Sequence, residues 1–146
     1  MCVQSALLYG GESWSILKRD EARLNVFHHR CLQAILHVSR LDQELHHITN
    51  LDLRQRWGDT GLMSDVLHRK RLQWVGHVAR MPPDRLPKRV LFGWFRHSRP
   101  AHGPRLRWKD RVAADFRSLG IAQSSWFAEA QDRQAWRAIT RLLPKQ

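Results

Sequence analysis

Between Asp20 and Val38 the apolar residues Leu24, Phe27, Cys31, Ile35 and Val38 recur at steps of three and four, the period at which side chains return to one side of an α-helix. No alternating apolar and polar pattern elsewhere in the chain competes with it. The spacing therefore predicts an all-α fold, a small irregular helical domain. Asp20 and Glu21 suit the positive end of this helix. A chain of 146 residues suffices for one modest core and is short for two.

Punctuating residues divide the remainder. Asn50 reads as the N-cap of a short helix that runs to Trp57 and is ended by Gly58. Ser64 reads as the cap of a longer helix that stops at Pro82-Pro83, where the ring and the missing amide hydrogen forbid continuation. Asp84 then caps a brief helix with Pro87 in its first turn and Val90 and Leu91 turned inward. Phe95 to Leu106 has no period and reads as a basic loop. Trp108, Val112, Phe116 and Leu119 mark one helix face closed by Gly120, and Trp126, Phe127, Trp136, Ile139 and Leu143 mark a last helical region broken near Asp132. Val3 to Tyr9 fits a strand or a helix fragment equally. Gly76 costs a helix interior about 1 kcal/mol relative to alanine, so its presence predicts close approach by another element. Leu24, Phe27, Ile35, Val78, Phe116 and Trp136 form the expected core.

Charge narrows the function classes. The net charge is +12, an excess that implies a polyanionic partner. It is concentrated: between His68 and Arg111 stand Arg69, Lys70, Arg71, Arg80, Arg85, Lys88, Arg89, Arg96, Arg99, Arg105, Arg107, Lys109 and Arg111 against Asp84 and Asp110 alone. Mixed signs are the norm on soluble domains, so this asymmetry favours a binding region over merely solvated helix faces. An anionic membrane fits less well, because an interfacial helix would compete with the core for the same leucines and tryptophans. No apolar run reaches the length of a bilayer span and the N-terminus lacks the order of a secretory signal. An intracellular location is expected, with nucleus and cytoplasm left open, and Cys2 and Cys31 read as free thiols.

Within the basic region, Leu72 to Met81 and Pro104 to Val112 each interleave tryptophan with arginine. Guanidinium groups supply phosphate-directed charge, and an indole offers a face on which a base can stack. The expected phosphate contacts are Arg69, Lys70, Arg71, Arg96, Arg99, Arg105, Arg107 and Lys109. Trp94 and Trp108, which flank the loop, are the candidate stacking residues, whereas Trp14, Trp126 and Trp136 read as core. His77 reads as a core or boundary histidine. The histidines include His28, His29, His46 and His47 near Cys31, yet no cysteine pair has finger spacing, so no metal and no cofactor are expected. A paired-aspartate turn, a phosphate-cradling glycine loop and a nucleophile elbow are all missing from the sequence, which predicts a protein that is not itself an enzyme.

Several short motifs occur in the order of a known family. Ala6-Leu7-Leu8-Tyr9-Gly10-Gly11-Glu12-Ser13-Trp14 is followed by Phe27, Cys31-Leu32, Ile48-Thr49-Asn50, the box from Gly76 to Arg80, the box from Arg107 to Asp110, and Asp132 to Arg137. In this the chain resembles the C-terminal segment of LINE-type (non-LTR) retrotransposon reverse transcriptases, the part that follows the polymerase thumb. Where that family usually has repeated glycine-arginine-proline units, this chain reads Ser98-Arg99-Pro100-Ala101-His102-Gly103-Pro104. The resemblance implies a thumb remnant over residues 1–18, separated from its packing partner, and a basic helical C-terminal domain over residues 19–146. It further implies RNA or DNA as partner, together with the polymerase portion of a parent protein, while polymerisation itself belongs to the parent. A structural buttress for the polymerase and a decayed reading frame without function are the rival expectations.

Overall fold

The computed structural model describes residues 2–58, 61–92 and 107–141, and among them every regular element is helical. In chain order these are α1 (Cys2–Leu7), a 3₁₀ turn (Gly11–Ser13), α2 (Lys18–Ile35), α3 (Arg40–Leu45), α4 (Asn50–Arg56), α5 (Met63–Ala79), α6 (Leu86–Phe92), α7 (Trp108–Ser118), α8 (Trp126–Glu129) and α9 (Arg133–Arg141). No helix among the described residues is long and apolar enough to cross a membrane.

The helices fall into two compact units. The larger joins Met1–Ser15 to Leu67–Leu143, and the smaller is built on Ile16–Val66. The expected division into 1–18 and 19–146 concerns descent, and packing follows another line. The N-terminal segment has a packing partner after all: Leu8 is buried, its carbonyl accepts a bond from Lys70 Nζ at 2.8 Å, and the Glu12 carbonyl accepts one from Trp108 Nε1 at 2.7 Å.

The larger unit is organised on the buried stripe of α5. Leu72, Val75 and Ala79 pack with Val112 and Phe116 of α7, Ile121, Ala130 and Trp136 of α9. Gly76 is required there, because a Cβ at that position would clash with Nε1 and Cδ1 of Trp136, and the same indole donates to the Leu72 carbonyl at 2.8 Å. Phe116 meets Trp136 edge-on, with centroids 6.2 Å apart. Within this apolar setting Arg71 is fully buried, with Nε 2.8 Å and its second nitrogen 3.2 Å from the two carboxylate oxygens of Asp115. The bidentate fork suits a carboxylate out of water. Stops occur where turn chemistry demands them. Gly120 takes φ 68 after α7, a left-handed conformation costly for side chains with a Cβ, and Asp132 Oδ1 accepts from the backbone of Gln134 and Ala135 to start α9.

In the smaller unit α2 packs on α4. Two capping boxes build it: Ser39 and Asp42 exchange bonds at the start of α3, and Thr49 and Asp52 do so at the start of α4. The N-cap of α4 is thus Thr49, one residue before the expected Asn50. Ser64 does not act as a cap either; its amide donates to Asn25 Oδ1 at 3.1 Å. The main correction concerns α2. Its buried residues are Glu21, His28 and Leu32, while Phe27 is 45% and Ile35 49% exposed and Leu24 is half-buried. The inward row lies one residue past the expected Leu24, Phe27 and Cys31, a rotation of about 100°.

Candidate nucleic-acid interface

A helix ends with carbonyls that have no partner along its own axis. At the end of α5 those groups are satisfied by long polar side chains from later elements. Lys88 Nζ of α6 donates to the carbonyls of Ala79 and Met81 at 2.9 and 2.6 Å, and Gln131 Nε2 reaches Ala79 O at 3.5 Å. Arg80 turns the other way and donates to the carbonyl of Ala130. Positive groups here also complement the negative end of the helix dipole.

Beside this junction α9 presents Arg133, Arg137 and Arg141, all exposed, while Trp136 and Thr140 fill its inner side. The spacing of four returns the three arginines to one side of the helix. Burial first, and then the charges of Arg133 and Arg137, lower the pKa of Arg80. Among the described residues no carboxylate forms an ion pair with Arg80, Arg133 or Arg137. Phosphate oxygens are strong acceptors for guanidinium donors of this kind.

The residues singled out from sequence meet different fates. Arg71 is withdrawn as a phosphate contact, since it is fully buried against Asp115. Lys70 is half-buried and bonded to Leu8 O, and Arg69 is half-buried. Arg107 and Lys109 are exposed at the start of α7, where the Arg107 amide donates to Asp110 Oδ2 at 3.0 Å. Arg96, Arg99, Arg105 and Trp94 lie outside the described residues. Trp108 packs on the core and spends its indole N–H on Glu12, a structural position. His77 is exposed, its ring 5.5 Å from that of Trp74, and not a core histidine. Val90, expected inward, is exposed.

The arginine row of α9 was not singled out from sequence. Its signal was present in the recurrence Arg133, Arg137, Arg141, but these residues stand outside the charge-dense central third. Among the described residues no group of three or more histidine, cysteine, aspartate or glutamate side chains is gathered as a metal site, and Cys31 is a free thiol. No protein-family model, curated protein or solved structure matches the chain.

Proposed function

We propose that the chain is a non-catalytic nucleic-acid-binding fragment that holds the phosphate backbone through the larger unit. The observation that carries this reading is the group formed by Arg80, Arg133 and Arg137, which no carboxylate neutralises among the described residues. Arg141, Arg85, Arg89, Arg107 and Lys109 add exposed charge on the same unit. Its ordered motifs support descent from the C-terminal segment of a LINE-type reverse transcriptase, where such a surface would contact template RNA or target DNA.

Fluorescence anisotropy with a labelled duplex at graded salt tests the proposal. Six phosphate contacts on duplex DNA give a slope of log K against log salt of roughly −5, at about −0.9 per contact. Replacing Arg133, Arg137 and Arg141 together by glutamine should weaken binding to every sequence and shrink that slope. The matched control replaces Arg23, Arg30 and Arg40, also exposed, and removes equal charge from the smaller unit. Equal losses in the two triple variants would reduce the site to net charge, and no binding at low salt by folded protein would end the proposal.

One observation favours a second reading for the smaller unit, a buttress against protein. Val26, Phe27, Ile35, Leu41, Leu45 and Leu51 are all exposed, and where such residues adjoin, the apolar surface suits contact with protein. A dye that reports exposed apolar surface should bind the wild type, and Val26→Ser with Phe27→Ser should reduce that signal without loss of helicity.

A further inference from the structure

We infer that the cleft between Pro83, Phe92 and Phe127 is a stacking site for an unpaired nucleobase of single-stranded nucleic acid, an inference that rests on the phosphate-binding reading above. The cleft is open, has a volume of about 460 Å³ and is lined by these three residues with Lys88 and Arg89. That volume lies in the range of small-molecule sites.

The walls are aromatic and stay wet. Phe92 is 47% and Phe127 41% exposed, and their rings stand at 86° with centroids 5.5 Å apart. Two perpendicular rings let a planar group stack on one while its edge meets the other, both favoured aromatic arrangements. The platform is also backed by the core. Phe92 stacks on Trp126 at 5.9 Å and 10°, Trp126 leans on Phe116 at 5.2 Å, and Phe116 meets Trp136 edge-on. A ring already held in place loses little further freedom when a ligand arrives.

Charge selects the occupant. Among the described residues both charged members of the lining are cations and no carboxylate lines the cleft. Lys88 is held by the Ala79 and Met81 carbonyls, and its ammonium lies 5.6 Å from the Phe127 centroid. It therefore stays at the wall with its charge beside the rings. An apolar protein segment would gain nothing from these charges, whereas a base brings a π-face and a phosphodiester together. Bases inside a duplex have their faces covered by their neighbours, so only an unpaired base can enter. The anion-seeking group of Arg80, Arg133 and Arg137 belongs to the same region: Arg80 donates to Ala130, and Gln131 bonds both Phe127 O and Ala79 O.

The test compares the full chain with Phe92→Leu and Phe127→Leu, which keep apolar bulk, on an oligothymidylate of about 12 nucleotides, within the length range of known single-strand sites, and on a duplex of the same length. Each substitution should weaken single-strand affinity about tenfold, as loss of one stacking contact does, while duplex affinity changes by less than about twofold and the salt slope holds. Wild-type binding to both probes with unchanged single-strand affinity in the variants overturns the cleft and leaves the phosphate reading intact; no wild-type binding overturns both. Equal losses on single strand and duplex also overturn the cleft. A measurement that needs no variant guards against misfolding: ultraviolet crosslinking of a 5-iodouracil oligonucleotide to wild-type protein should place adducts on Phe92 or Phe127. Adducts confined to other residues overturn the inference.

Discussion

The two units bury their apolar residues to different extents. In the larger, Leu8, Leu67, Leu72, Val75, Val78, Phe116 and Trp136 are buried, and its most deeply buried charge, Arg71, is met by Asp115 with good geometry. In the smaller, Leu32, Leu53 and Met63 share the interior with Glu21, His28, Arg54 and Asp65, while Val26, Phe27, Ile35, Leu41 and Trp57 face out. Burial of apolar surface is the dominant favourable term in folding, so the larger unit holds most of the stabilising area. The smaller has fewer buried apolar side chains to hold it and more large ones exposed.

The largest effect expected from that contrast comes from truncating one aromatic residue in each unit. Trp136→Ala removes a buried indole and leaves the Leu72 carbonyl without its donor, at a cost of about 3 to 5 kcal/mol. Phe27→Ala, although it lies on the stripe read from sequence as core, should cost about 1 kcal/mol or less because the ring is half in water. Urea denaturation of the two variants gives the comparison directly, and similar losses would mean that the smaller unit buries Phe27 in solution.

A comparable effect is expected at the buried ion pair. Asp115→Asn removes the carboxylate that Arg71 Nε meets at 2.8 Å, and breaking a buried pair in this way costs about 3 to 5 kcal/mol. Replacing both partners with apolar residues, Arg71→Met with Asp115→Leu, should recover much of the loss, since an apolar pair needs no desolvation of charge. His68 Nε2 lies 3.8 Å from Asp115 Oδ1, and both variants also change that contact, so recovery need not be complete. On the proposed nucleic-acid reading, the double variant should bind as wild type does, because Arg71 has no exposed surface. Weaker binding by a folded double variant would return Arg71 to the interface.

These corrections show what periodicity can and cannot carry. The stops at Pro82-Pro83, Gly120 and Asp132, the inner side of α7 and the close approach at Gly76 were all legible, since each follows from local backbone chemistry or from an uninterrupted apolar stripe. The face of α2 was not. Its apolar stripe is real, but the row one residue further on packs inward, and a helical period cannot say which neighbour a stripe meets. Arg71 could have been read differently: Leu67, Arg71, Val75 and Val78 recur at steps of four and three, placing a cation within a buried stripe. Asp115 lies next to Phe116 in the sequence, as a counter-ion for it would require. Helix α3 also had its signal, Ser39 three residues before Asp42, a variant of the capping box with aspartate in place of the usual glutamate. As for the candidate site, total charge pointed to a polyanion, whereas the grouping of Arg80 with α9 depends on a contact fifty residues apart that no local pattern records.

The smallest effect expected is a difference in pH response between the units. His28 is buried, and burial first, then His29 and then Arg54, lower its pKa from 6.5; burial and then Arg54 lower that of His29. Neither His28 Nδ1 nor His29 Nε2 has a hydrogen-bond partner among the described residues, so nothing there offsets the desolvation of the charged rings. The folded state therefore favours neutral imidazoles, whereas the unfolded chain takes up protons near the ordinary value. Stability from this source is complete above about pH 6.5 and is lost as the pH falls toward the lowered folded-state values. Hydrogen exchange of α2 and α4 peptides, compared between about pH 7.5 and about pH 5.5 and corrected for the intrinsic exchange rate, should show the smaller unit opening more readily at the lower pH. His28→Gln removes the larger part of that dependence. If the wild-type peptides were equally protected at both pH values, the two histidines would have to take up protons alike in the folded and unfolded chain, and burial would not be holding them neutral.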